Sequence, residues 1–298
     1  MALIVTNGGL GADEADRAIG LADAEFRGRT DWRGAIDRRF DHPGPIELVA
    51  VEAQGVPDDM LAAALPRLAA LRGETGARFV VALDQGQIDL VAEALLGERV
   101  ELLCEPTLAD RAAAFLIGLS GFSRDTLHDR KGDGESAQLR QLNEEVARIS
   151  RVLSRLANED KRPGGLADRS LGFTPPPATP AASNVTAADV RKIIRGRRLR
   201  NQFFADGLFE DPAWDMLLDL YAAELEGAQV SVSSLCIAAA VAPTTALRWI
   251  GRMTDVGLFV RQPDPFDRRR AFLGLSAEAR AKMESYLTAL RQGGFAAL

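Results

Sequence analysis

Apolar positions in the first 120 residues follow two alternating rhythms. Near-continuous runs at 3–5, 46–51, 78–83 and 100–104 are separated by stretches where apolar residues recur every three to four positions. The runs read as strands, joined by a shorter one near 24–27. The intervals read as helices over 12–21, 32–40, 58–72, 87–96 and 108–119. A strand with one wet face alternates, whereas a strand covered on both faces is apolar almost throughout. Five such strands trading places with five helices therefore predict an α/β domain over residues 1–122, a doubly wound parallel five-stranded sheet.

Gly132-Asp133-Gly134 ends that pattern, and a helix is expected over 135–158. Its apolar residues Leu139, Leu142, Val146, Ile149, Leu153 and Leu156 are spaced alternately by three and four, the seam of a coiled coil. This helix either dimerises the chain or packs on its own domain. Residues 159–183 carry Arg162-Pro163-Gly164-Gly165 and a Pro-rich run from Thr174 to Pro180, which stiffens an extended chain without a core and marks an inter-domain linker.

Residues 184–292 have a different character, α+β. A basic helix is expected over 187–204, and Asp211-Pro212 supplies an N-cap and first-turn proline for a helix to about 225. Ser233 is expected to cap a short helix at 234–240. Val241-Ala242 makes a turn, and Pro243 opens a longer helix that stops at Gly257. A short helix, a tight turn and a longer helix is the helix-turn-helix arrangement that lays a recognition helix in the major groove. On the longer helix, Ala246, Trp249, Ile250, Met253 and Val256 form the inward stripe. Thr244, Thr245, Arg248 and Arg252 remain for the groove; threonines at the helix start can reach phosphate or base edges, and Arg248 can address guanine with two hydrogen bonds. Strands at 257–261 and 271–275 then flank a polar tip, in which Asp267 is expected to hold a neighbouring arginine while Arg268, Arg269 and Arg270 face phosphates or the narrow minor groove. Ser276 caps a closing helix packed through Met283, Tyr286, Leu287 and Leu290.

The 298 residues carry a net charge of −6, the wrong sign for a nucleic-acid binder as a whole, yet basic residues gather at 191–200 and 268–270. Cys104 and Cys236 each sit in an apolar run without metal or redox spacing, which fits buried thiols in a reducing compartment, the cytoplasm. His42 and His128 join no metal-ligating cluster, and no cofactor or metal is expected. No apolar run is long enough to cross a bilayer, so no membrane association is expected. Neither a nucleophile–base set nor a complete nucleotide loop is present, and the paired carboxylates read as exposed helix positions, so an enzyme is not expected.

The run Met253 to Arg261, then Asp267-Arg268-Arg269, then Leu273-Gly274-Leu275-Ser276, resembles the wing signature of MarR-type winged-helix regulators. The resemblance covers about a third of the chain. It implies a homodimer on palindromic double-stranded DNA, with a wing-tip arginine in the minor groove. Leu247 departs from it, standing where family members often carry a polar groove-facing residue. The amino-terminal half is similar to a response-regulator receiver domain in its element order and in Leu103-Cys104-Glu105-Pro106. The residues a receiver uses for phosphate are replaced: Glu52 stands at the acceptor position, Thr6-Asn7-Gly8-Gly9 where an acidic pair would hold magnesium, Asp84 for a hydroxyl residue, and Glu105 for the lysine. Phosphoryl transfer without those charges loses its electrostatic stabilisation. The half is therefore expected to be a degenerate receiver that dimerises, docks a protein partner or serves as a spacer. The expectation for the whole is a DNA-binding regulator; the rival is an adaptor whose winged helix binds another protein.

Overall fold

The computed structural model describes residues 2–22, 25–37, 46–119, 185–204, 208–264, 267 and 270–292. The expected helix at 135–158, the linker at 159–183, and Arg268 and Arg269 lie outside the described residues.

Strands β1 (Ala2–Val5), β2 (Phe26–Thr30), β3 (Leu48–Glu52), β4 (Arg78–Leu83) and β5 (Val100–Cys104) form one sheet in the order β2-β1-β3-β4-β5. Every pairing is parallel, with Val5 opposite Val51, Glu52 opposite Ala82 and Leu83 opposite Cys104. Helices α1 (Leu10–Leu21), α2 (Trp32–Ile36), α3 (Asp58–Thr75), α4 (Ile88–Leu95) and α5 (Leu108–Leu119) cover it. Alternate side chains serve opposite faces, as strand geometry requires. Ile4, Leu48, Ala50 and Val80 pack with Ala15, Ala18 and Ile19 of α1 and Phe115 of α5. Leu3, Val5, Val49, Val51 and Phe79 belong to the core that includes Trp32 of α2, Leu61, Leu65 and Leu68 of α3 and Val91 of α4. Both faces are covered, which is why the strands read as near-continuous apolar runs. The second strand lies two to three residues later than its expected place. The helix opened by Trp32 ends at Ile36, short of the expected 40, and its Asp31 cap accepts from the Gly34 amide at 2.6 Å.

The carboxyl-terminal half contains α6 (Ala187–Leu199), α7 (Pro212–Glu226), β6 (Val230–Ser231), α8 (Val232–Ala238), α9 (Pro243–Asp255), β7 (Phe259–Pro263), β8 (Ala271–Leu275) and α10 (Ala277–Gln292). The three strands make an antiparallel sheet in the order β6-β8-β7. Val190 of α6, Leu218, Tyr221 and Ala222 of α7, and Met283 and Leu287 of α10 share a core. Tyr286, expected in that core, is 47% exposed and meets the Trp214 ring edge-on at 4.9 Å.

The core of the sheet's α3–α4 face does not stop at the amino-terminal half. It continues through Leu95, Leu96 and Leu102 into Met216, Val230, Leu235, Ala246 and Ile250, and the two halves form one compact unit.

Candidate nucleic-acid interface

Ser231 caps α8, its hydroxyl accepting from the Ser234 amide at 3.2 Å. Ser233 was the expected cap; it lies one turn position inside the helix, because the chain leaves β6 directly into α8. Ala240, at φ 54°, turns the chain left-handed after α8, and Pro243 starts α9 at the one position where a missing amide costs nothing. The axes of α8 and α9 meet at 111°, within the range of helix-turn-helix units. Among the described residues no single helix is long and apolar enough to cross a membrane.

Ala246, Leu247, Ile250 and Met253 are the buried face of α9, and Trp249 is half-buried against the same core. Leu247 thus points into the core. Val256, expected on the inward stripe, is 61% exposed: the helix ends at Asp255, so Val256 leaves the helical face. Gly257, at φ 73°, then redirects the chain into β7. Arg248 and Arg252 point outward, with the Arg252 guanidinium 5.3 Å from the Trp249 ring centroid.

At the hairpin tip the Asp267 amide donates to Asp264 at 3.2 Å, the Arg270 amide donates to the Asp267 carbonyl at 3.0 Å, and the Arg270 guanidinium lies 3.6 Å from the Asp267 carboxylate. Arg270 is exposed. The basic run at 191–200 is less available than its sequence implies. Arg191 pairs with Asp219 and Glu226, Arg197 with Asp215 and Asp211, and Arg198 donates to the Ala238 carbonyl at the end of α8. These contacts tie α6 to α7 and α8.

Two of the four groove candidates on α9 touch the amino-terminal half. The Thr244 hydroxyl accepts from the Cys104 amide at 2.9 Å and donates to the Cys104 carbonyl at 3.2 Å. Arg248 lies 3.6 Å from Glu101 of β5. Nearby, Asp89 of α4 accepts from the Ser233 amide at 2.8 Å and from its hydroxyl at 2.6 Å. Arg261 of β7 donates to the carbonyls of Ala92 and Leu96 at 3.0 Å and to that of Glu93. Its burial holds the guanidinium pKa below the ordinary value. Burial, helped by the Glu105 and Asp84 charges, pushes the Cys104 thiol up to about 11. The Cys236 thiol, buried and close to Asp89 and Cys104, is pushed up to about 12. Both are protonated near neutrality and are poor nucleophiles.

At the carboxyl ends of the parallel strands, Glu52 meets Arg111 of α5, which is 1% exposed. The guanidinium donates to both Glu52 carboxylate oxygens at 3.1 and 2.9 Å, to Gln54 at 2.7 Å, to the Pro106 carbonyl at 2.6 Å, and pairs with Glu14 at 2.7 Å. All five guanidinium N–H groups are thereby used. Burial pushes the Glu52 carboxyl above its ordinary value, and the Arg111 hydrogen bonds and charge pull it part of the way back. The Glu52 carboxylate also lies over Gly11 of α1, where an added Cβ would come within 3.0 Å of it. Asp84 accepts from the Gly55 amide at 2.7 Å and from Gln54 at 3.3 Å, while Gln87 accepts from its amide at 2.9 Å. Glu105, at φ 48°, is exposed. Among the described residues no group of three or more metal-ligating side chains comes together.

Arg111, Asp89 and Arg261 escaped the sequence reading. Arg111 had a signal: a charge three residues after Leu108 and four before Phe115, on the inward stripe of a helix whose one other charge, Asp110, lies in its first turn. Asp89 and Arg261 had none, since a carboxylate in a first turn and an arginine in a hairpin are ordinary exposed residues.

No known protein family and no curated protein matches the chain. Among solved structures it is similar to MepR of S. aureus, solved with ethidium bromide bound, at 16% identity over 37% of this chain and 78% of that one, with a TM-score of 0.26. A probable transcriptional regulator from Pseudomonas aeruginosa aligns at 28% identity over 36% and 80% of the respective chains, TM-score 0.25. BpsR of Bordetella bronchiseptica, whose DNA binding is regulated by 6-hydroxynicotinic acid, aligns at 21% over 36% and 78%, TM-score 0.23. Scores this low assign neither a fold nor a function to the chain.

Proposed function

We propose that the chain is a sequence-specific double-stranded-DNA-binding transcriptional regulator, not an enzyme, that acts as a homodimer in the cytoplasm. The observation that carries this reading is the pair α8–α9, set at 111° and followed at once by an antiparallel hairpin with a basic tip. In that arrangement α9 enters the major groove, with Thr244, Thr245, Arg248 and Arg252 as its reading residues. Arg268, Arg269 and Arg270 follow the phosphates or the minor groove from a wing stiffened by Asp267. The amino-terminal half is then a receiver-like domain that takes no phosphate and acts through protein contacts. The Arg111–Glu52 pair supports this, because a buried guanidinium fills the space beside the carboxylate that a phosphoryl group and its metal would need.

A second reading has one observation in its favour: α9 already makes protein contacts, through Thr244 and Arg248. On that reading the winged helix is an adaptor for proteins. Selection of bound fragments from genomic DNA by the purified full chain, beside a triple Arg268/Arg269/Arg270→Ala variant, separates the two. A palindromic motif that the variant loses is expected; no enrichment over random DNA would favour the adaptor.

A further inference from the structure

The two halves of the chain meet on the face that DNA would need. Residues at the start of a recognition helix are the ones that reach base edges. Here the Thr244 hydroxyl spends both its donor and its acceptor on the Cys104 backbone. β5 is the last strand of its sheet, and its free edge needs cover; Thr244 supplies part of it. One turn further along α9, Glu101 of the same strand faces Arg248, an acidic group where a phosphate would sit. Leu96, just past α4, reaches to 4.0 Å from the position a Cβ would take on Gly251 of α9. The major groove is about 12 Å wide and admits little more than one helix, so α9 cannot occupy it while a sheet edge lies within hydrogen-bond distance of its first turn.

Beside the shared apolar core, polar contacts at helix ends fasten the halves. Asp89, in the first turn of α4, puts a carboxylate on the Ser233 amide and hydroxyl at the start of α8, where a negative charge is favoured. Arg261 puts a guanidinium on the Ala92, Glu93 and Leu96 carbonyls at the end of α4, where a positive charge is favoured. α4 is thereby clamped at both ends by the winged half. Opening also parts the apolar core that Leu95, Leu96 and Leu102 share with Leu235, Ala246 and Ile250, so the open fraction of the wild type is small.

We propose that the amino-terminal half masks the recognition helix, so that docking of α4 and β5 on α8 and α9 and the binding of duplex DNA exclude each other. This rests on the DNA-binding reading given above. The masked chain binds DNA only through its open fraction, and its apparent affinity falls by that fraction. Whatever displaces α4 and the β5 edge switches the protein on. A partner for this half is therefore one that competes for the Asp89–Glu101 surface.

The test uses the full chain and changes only the amino-terminal half, adding no positive side chain. Asp89→Ala and Glu101→Gln, singly and together, are titrated against a labelled random-sequence duplex pool beside the wild type. Hydrogen exchange of the β5 amides is followed with and without saturating DNA. Each single variant is expected to bind about tenfold more tightly, the equivalent of about 1.4 kcal/mol. The Cys104 amide is expected to exchange faster in the double variant, and faster in the wild type once DNA is bound. Equal affinities for wild type and variants, with β5 exchange unchanged by DNA, would overturn the masking while leaving the DNA reading intact. No duplex binding by any of the proteins would overturn the DNA reading and the competition with it. In that case the exchange difference between wild type and double variant in the absence of DNA still reports whether the halves dock.

Discussion

Arg111→Met is the sharpest probe of the amino-terminal half, because it removes every donor from a buried carboxylate while keeping most of the side-chain volume. Glu52 would be left buried beside Gln54 and the Glu14 charge without its guanidinium. Breaking a buried pair from one side costs about 3–5 kcal/mol. An independent ceiling comes from protonation. A carboxyl with an ordinary value of 4.5 can be neutralised at pH 7 for about 3.4 kcal/mol, so the loss at pH 7 should be close to that figure. The sign of the pH dependence follows from the direction of the shift. Without Arg111 the folded-state pKa of Glu52 rises further above its unfolded value, so the penalty is small at and below about pH 4.5 and grows as the pH rises to 7. Restoring neutrality with Glu52→Gln in the same chain should recover most of the loss, since a double replacement leaves no buried charge. Urea unfolding followed by circular dichroism at pH 5 and pH 7 measures both variants beside the wild type. An Arg111→Met protein within about 1 kcal/mol of wild type at pH 7, or one whose deficit widens towards acid, would refute the reasoning.

Two further outcomes are expected. Acetyl phosphate with magnesium should leave the intact mass of the protein unchanged, because Glu52 is sealed by Arg111 and Asp84 is engaged by Gly55 and Gln54; one added phosphoryl group on either residue would show the amino-terminal half to be active. Asp110 and Asp189 are held below the ordinary carboxylate range, chiefly by hydrogen bonds from Thr107 and Thr186 at the starts of α5 and α6. The stability they add is present above their unfolded value and is lost as the pH falls below it. Thr186→Ala should lower the melting temperature at pH 7 by the equivalent of about 1 kcal/mol and less at pH 3, and an equal shift at both would sink the capping account.

The sequence by itself determined the local periods, and with them the elements. Near-continuous apolar runs predicted strands buried on both faces, and β1, β3, β4 and β5 are parallel strands with helices on either side. Proline at the first helical position marked the starts of α7 and α9, and Gly257 the end of α9, within a residue or two, because those signals act on the backbone of their own turn. Errors arose where two local signals competed. Ser231 and Ser233 are both able to cap α8, and the strand before it decided between them.

Tertiary structure alone decided which charged residues are used up inside the molecule. Glu52 and Arg111 are 59 residues apart, and Asp89 and Ser233 are 144 apart; no helical or strand period links such positions. The basic run at 191–200 looked like part of a DNA footprint because sequence records charge and not partners, while Asp211 and the Asp215, Asp219 and Glu226 of α7 pair with its Arg191 and Arg197. The same holds for α9. Its threonines and arginines were legible as groove-reading types, but a helix face is chemically alike whether it meets phosphates or the polar edge of a strand. Only the folding of one half onto the other put Cys104 and Glu101 in front of it.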